Sequence, residues 1–227
     1  MNRQIRPKTL SGKEDAEGRI RARNERLILD AAVSLFSAKG FDGTAISEIA
    51  DTAGLPKTNV YYYFSTKAAI YERLIGEVLK DWDQALRRLD PELPPREALF
   101  DYVTDKLEFS RLHGEKSRFF AGELLRGGTF LTPRQKRHVQ SITRDACAVV
   151  QRWIDDGRCN PVDPRHLFIM LWSTTQFYAD FAPMAATTLE VPRLRKVDFT
   201  EAAQQIIAML GLWREGPEEV REQAGAS

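Results

Sequence analysis

An all-α fold is predicted by three features of the sequence. Apolar residues recur at three- and four-residue spacing along most of the chain, Gly and Pro punctuate these stretches, and no run alternates polar with apolar residues as a strand would. The pattern gives about nine helices, in a small N-terminal three-helix unit over residues 23–70 and a larger helical domain over 71–215. A flexible basic arm is expected over 1–22 and a flexible tail over 216–227.

The arm is read from charge. Arg3, Arg6, Lys8, Lys13, Arg19 and Arg21, continued by Arg23 and Arg26, outnumber Glu14, Asp15, Glu17 and Glu25, and no apolar periodicity precedes Leu27. Such a segment either follows phosphates and the minor groove or is simply a solvated tail. It lacks the apolar stretch of a secretion signal, since Ser11-Gly12-Lys13-Glu14-Asp15 follows its first basic residues, so a cytoplasmic protein is expected. No apolar run approaches the roughly 20 residues of a membrane span.

Leu27, Ile28, Ala31, Ala32, Leu35 and Phe36 form the stripe of a first helix, which Lys39-Gly40-Phe41 ends. Thr44 can cap a second helix through its hydroxyl, with Ile46, Ile49, Ala50 and Ala53 on one face. Gly54 tolerates the left-handed conformation of a sharp exit, and Pro56 has the preset φ and missing donor suited to a first turn, so a third helix starts at about Pro56. Along it only Val60 and Phe64 point inward, leaving Lys57, Thr58, Asn59, Tyr61, Tyr62 and Tyr63 outward or toward neighbours. Two short helices around a tight Gly turn, the second presenting polar and aromatic groups, make a helix-turn-helix that reads double-stranded DNA in the major groove. The formal net charge is only +1, so affinity for DNA must come from local placement of Arg and Lys.

This spacing, continued by Lys67, resembles the TetR family of bacterial regulators over the N-terminal third of the chain. The resemblance implies that Thr58 and Tyr61 contact bases and that Lys57, Tyr62, Tyr63 and Lys67 contact phosphates, with Thr44 and Asn59 in the same surface. Ala45 stands where many relatives have a phosphate-gripping hydroxyl residue, and Pro56 replaces the usual capping Ser.

The helix from Ala68 to Leu89 carries Ile70, Leu74, Val78, Trp82 and Leu86 on one side and joins the DNA-reading unit to the rest. After the breaker-rich Asp90-Pro91-Glu92-Leu93-Pro94-Pro95, Leu99, Val103 and Leu107 resume helical spacing, and further helices are expected at about 115–126, 133–157, 164–183 and 198–214. The helix in 163–183 is apolar on several sides, and Phe199, Ala202, Ala203, Ile206, Ile207, Leu210 and Trp213 give the last one a stripe. Pairing these two across a two-fold axis gives a homodimer with Leu171, Phe181, Ile206, Leu210 and Trp213 in its interface, suited to a palindromic operator; the alternative is a large monomeric core.

Leu107-Glu108, Ser110-Arg111, Ser117-Arg118, Phe120, Glu123-Leu124-Leu125, Asp163-Pro164, Trp172, Thr175-Gln176 and Tyr178-Ala179-Asp180-Phe181 resemble the RutR subgroup of that family, the regulators of pyrimidine utilisation. Phe177 stands where that subgroup carries His, so an imidazole contact to ligand is not expected. Trp172 and Gln176 are one turn apart and offer a stacking plane beside an amide, which suits a small planar polar effector; the resemblance to the RutR subgroup implies that this is nucleobase-like. Phe109, Phe120, Glu123 and Tyr178 are placed around it, although aromatics at this spacing also serve as plain core.

Catalytic chemistry finds no support. His166, Ser173 and Asp180 lie on one helix at seven-residue steps, roughly 10 Å apart, beyond hydrogen-bond reach. His113, His138 and His166 are scattered, Cys147 and Cys159 form no ligand pattern, and Gly127-Gly128 reads as a helix stop, so no metal or cofactor is expected. The expected protein is a repressor released by a small molecule. The alternatives are a helical enzyme or carrier that does not bind DNA, and a DNA-binding dimer without an effector.

Overall fold

The computed structural model describes residues 11–212, and ten helices occur among them. They fall into two compact units divided between Leu74 and Ile75, one helical turn beyond the boundary expected at 70. No helix among the described residues is long and apolar enough to cross a membrane.

The first unit holds α1 (Ser11–Lys39), α2 (Ile46–Ala53), α3 (Lys57–Tyr63) and the start of α4 (Lys67–Leu86). Its core is Ile28, Ala32, Phe36, Ile49, Val60, Ile70 and Tyr71, with Tyr71 edge-on to Phe36 at 4.9 Å and to Phe41 at 5.2 Å. α1 begins sixteen residues before Leu27, the first residue of the expected stripe. Residues 11–22 are therefore helical rather than a loose arm, because Glu14, Ala16, Glu17, Arg19, Arg21 and Ala22 are strong helix formers that need no buried stripe to continue a helix. Residues 1–10 of the arm lie outside the described residues, as do Trp213 and the tail.

The second unit holds the rest of α4, then α5 (Pro95–Leu112), α6 (Gly114–Leu125), α7 (Pro133–Asp155), α8 (Pro164–Asp180), α9 (Ala182–Thr188) and α10 (Lys196–Leu210). α5 packs against both α8 and α10 around Leu99, Val103, Leu107, Leu167, Phe168, Phe199, Ala203 and Ile207. Trp153 of α7 is fully buried and donates its indole N–H to the Pro91 carbonyl at 2.9 Å, which pins the proline-rich loop before α5.

Two differences from the expected helices matter. The helix expected to run to 183 ends at Asp180, and α9 is added after it, since Pro183 has no N–H with which to extend α8 but fits a new first turn. Leu171 is 1% exposed and belongs to the core of the subunit, so it cannot also form an interface. The outward side of α8 carries Ile169, Met170, Phe177 and, at its C-cap, Phe181 instead, all exposed. Ile206 and Leu210 are half-buried on α10.

Candidate nucleic-acid interface and ligand cavity

The α2–α3 turn has the geometry its residues dictate. Gly54 sits at φ 66°, ψ 30°, the Leu55 N–H reaches the Ala50 carbonyl at 3.0 Å, and Pro56 caps α3. The start of α2 is capped differently from the expectation. The N-cap is Ala45, whose N–H donates to the Glu48 carboxylate at 2.9 Å, while Lys39 holds that carboxylate at 2.6 Å. Together these bonds, the Lys39 contact foremost, keep the Glu48 carboxyl below its ordinary pKa. Thr44 is 2% exposed and donates its hydroxyl to the Gly40 carbonyl at 2.8 Å. It thus locks the loop and offers neither a cap nor a group to DNA.

On α3, Val60 is fully buried and Phe64, at its C-cap, is 8% exposed, while Lys57, Thr58, Tyr61 and Tyr62 are exposed and Asn59 is half-buried. Lys57 lies 6.0 Å from the Tyr61 ring. Tyr63 is half-buried, and its hydroxyl accepts from Asn24 of α1 at 3.2 Å, so it braces α3 more than it projects from it. Lys67 carries a structural task beside its expected one. Its ammonium lies 4.3 Å over the Phe41 ring and donates to the Phe41 carbonyl at 2.6 Å and the Thr44 carbonyl at 2.8 Å. Two of its three N–H groups are thus committed to the α1–α2 loop.

The N-terminal half of α1 adds a feature the expected arm did not foresee. The Arg21 guanidinium lies 6.0 Å over the ring of Tyr62, which connects this half of α1 to the exposed side of α3. Glu25 is engaged by Arg73 at 3.1 Å and Arg26 by Asp30 at 2.8 Å. Arg19, Arg21 and Arg23 are exposed and form no ion pair with a described side chain.

Within the second unit, α4, α5, α6, α7 and α8 enclose a cavity of about 540 Å³, within the range of small-molecule sites. Of the six expected ligand residues, Trp172, Gln176 and Phe120 line it. Tyr178 packs near Phe199 at 6.0 Å, and Phe109 stands beside His113 at 5.3 Å and faces a smaller pocket. Glu123 is fully buried and accepts the Phe130 N–H at 2.7 Å with Arg126 at 3.8 Å, so it ties the α6–α7 loop and is unavailable to a ligand.

Among the lining residues not assigned to the site in the sequence are two aromatics with polar tips. Tyr102 of α5 accepts the Trp172 indole N–H at 2.7 Å, and burial pushes its phenol pKa up, so it stays a neutral donor. Trp82 of α4 meets Phe120 edge-on at 4.7 Å, and its buried indole Nε1 has no acceptor among the described residues. Both are aromatics with polar tips inside apolar stripes, a signal that could have marked them. Gln176 donates to Ser117 Oγ and to Asp180 Oδ1, each at 2.9 Å, which uses both amide hydrogens and leaves Oε1 as an acceptor at the wall.

Both units match known families. Residues 28–74 match the model of bacterial regulatory proteins of the tetR family, and residues 75–212 match that of the C-terminal region of YcdC-like proteins. The chain is 34% identical over 182 residues to the HTH-type transcriptional regulator RutR of Escherichia coli strain K12, covering 80% of this chain and 86% of that protein. It is 27% identical over 157 residues to the HTH-type transcriptional repressor NicS of Pseudomonas putida, covering 66% and 73%. In fold it resembles the ketosteroid transcriptional regulator KstR2 of Mycobacterium tuberculosis, with a TM-score of 0.68 and 19% identity over 84% of this chain and 95% of that one. AibR, solved with isovaleryl coenzyme A and operator DNA, gives 0.63 at 18% identity, covering 83% and 98%. With its reader helices, its long helical second unit and a relative this similar over four-fifths of its length, the chain belongs to the TetR family of helix-turn-helix transcriptional regulators.

Proposed function

We propose that the protein is a homodimeric repressor of a palindromic operator, released when a small planar polar molecule enters the α4–α8 cavity. The observation that carries the DNA half is α3 itself, where buried Val60 and Phe64 fix the helix and Lys57, Thr58, Tyr61 and Tyr62 face outward. Thr58 and Tyr61 read base edges, and Lys57 and Tyr62 meet phosphates. Lys67 supports the surface chiefly by holding the α1–α2 loop, with one N–H left for DNA. The N-terminal half of α1 extends the phosphate surface through Arg19, Arg21 and Arg23.

The test is retardation of a duplex carrying the region upstream of the protein's own gene, measured across salt concentrations. The wild type should bind, with affinity falling steeply as salt rises. The triple variant Arg19→Ala, Arg21→Ala, Arg23→Ala should lower the slope of log affinity against log salt by about 0.9 for each lost phosphate contact. An unchanged slope would remove α1 from the interface. No retention of any duplex by the wild type would remove the repressor reading itself.

For the effector, the free Gln176 Oε1 calls for a ligand N–H, and the orphaned Trp82 N–H and the Tyr102 hydroxyl call for ligand oxygen. A cyclic amide supplies both on a flat ring that Trp172 can stack against. Nucleobases such as uracil and thymine are therefore the first compounds to try, in keeping with the likeness to regulators of pyrimidine utilisation. Release of DNA requires differential affinity, since a ligand that binds both states equally shifts nothing. A preference of about 100-fold for the released state corresponds to roughly 2.7 kcal/mol of coupling, carried along α4, which is shared by the two units.

A further inference from the structure

Lys106 of α5 is 6% exposed, yet no carboxylate, carbonyl or hydroxyl among the described residues accepts a hydrogen bond from its ammonium. Its one described interaction is with the face of Trp82, whose ring centroid lies 3.8 Å from Nζ. A buried cation without an anionic or hydrogen-bonding partner is costly, and an aromatic face offsets only part of that cost. Lys106 also borders a second pocket, of about 190 Å³, together with Gln84, Phe109 and His113. Trp82 is the single residue this pocket shares with the larger cavity.

We propose that this smaller pocket is a second ligand site, in which Lys106, seated over the ring of Trp82, binds the oxyanion of a small organic carboxylate. The volume is below that of ordinary drug-sized sites and admits only a few non-hydrogen atoms. The aromatic rings of Trp82 and Phe109 suit a planar carboxylate with a short apolar tail. Asp105 at the rim is neutralised by Arg88 at 2.5 Å, whereas Asp81 is not so paired and disfavours a doubly charged anion such as phosphate. Because both sites press on one indole, occupancy of the smaller pocket sets the position of a wall of the larger.

Burial lowers the Lys106 pKa to about 7. An anion favours the charged ammonium, so binding takes up a proton, and affinity is greatest where the amine is already charged and falls about tenfold per pH unit above that value. Asp81, Arg88, Asp105 and His113 also face the pocket, and an H113Q control removes the imidazole from the pH dependence.

The experiment is calorimetric titration of the full-length protein with acetate and propionate, and separately with inorganic phosphate. It is run at pH 6.5, 7.5 and 8.5 in two buffers of different ionisation enthalpy. The expected result is carboxylate binding with proton uptake and about tenfold weaker affinity at pH 8.5 than at 7.5, unchanged in character in H113Q and lost in K106M. K106M replaces an unpartnered buried charge with an apolar side chain of similar length, so it should fold and melt no lower than the wild type. Failure of the carboxylates to bind, equal binding by K106M, or stronger binding of phosphate would each overturn the proposal. None of these outcomes depends on whether nucleobases bind the larger cavity.

Discussion

Replacing Phe177 and Phe181 together by Glu is expected to convert the protein from dimer to monomer and to lower operator affinity about 100-fold or more. The two rings stack at 5.0 Å on the outer side of the C-terminal end of α8, 43% and 56% exposed, and Ile169 and Met170 continue the same side. Among the described residues this patch stays exposed, and a two-fold pairing of α8 and α10 would bury it. Two carboxylates there would have to be desolvated opposite their own symmetry copies, a cost that the lost apolar burial only deepens. A single reader helix then faces each half-site alone, and the affinity contributed by the second half-site disappears. Light scattering and operator titration check both parts. A double variant that remains dimeric would place the interface elsewhere.

The second large effect is expected at Trp172. Replacement by Ala removes the stacking plane of the cavity, leaves Tyr102 without the donor that reaches it at 2.7 Å, and opens space beside Phe168, whose ring lies 6.1 Å away. Loss of stacking at roughly 1–3 kcal/mol should raise the Kd for uracil or thymine about tenfold or more. The cavity itself should lower stability by about 3 kcal/mol, so melting must be followed alongside. Trp172→Phe keeps a flat ring, smaller than the indole and without its N–H, and should retain more of the response than Trp172→Ala. If Trp172→Ala answers the true effector as the wild type does, the effector does not lie between α4 and α8.

What the sequence made legible, and what it hid, follow from the range of the interactions involved. The reader motif depends on residues a few positions apart, a Gly that accepts positive φ at 54 and a Pro that opens the next helix at 56, and these were readable. The pairing of Trp172 with Gln176 was equally local, being one turn of one helix. The structural tasks of Thr44 and Lys67 were not visible in the sequence because their partners are set by tertiary geometry. A hydroxyl before a helix looks like a cap until Gly40 is found beneath it, and a lysine opening a helix looks free until two loop carbonyls converge on it.

The same limit explains the cavity. Trp82 and Tyr102 come from α4 and α5, and no spacing within either helix shows that they meet α8. Glu123, Phe109 and Tyr178 were placed around the ligand with no spacing that ties them to it, and the fold turned them to other tasks. The apolar surround of α8 was visible, but only packing decides that Leu171 faces the core while Phe177 faces out.

The most direct test of the account is selection of bound duplexes from a random pool by the wild type, Thr58→Ala and Tyr61→Ala, followed by affinity measurement on single-base variants of the recovered site. The wild type should recover a palindrome, and each variant should lose about 1–3 kcal/mol of discrimination at symmetry-related positions of the two half-sites while binding other positions as before. Recovery of the same site with the same base preferences by all three proteins would contradict the assignment of α3 as the reader.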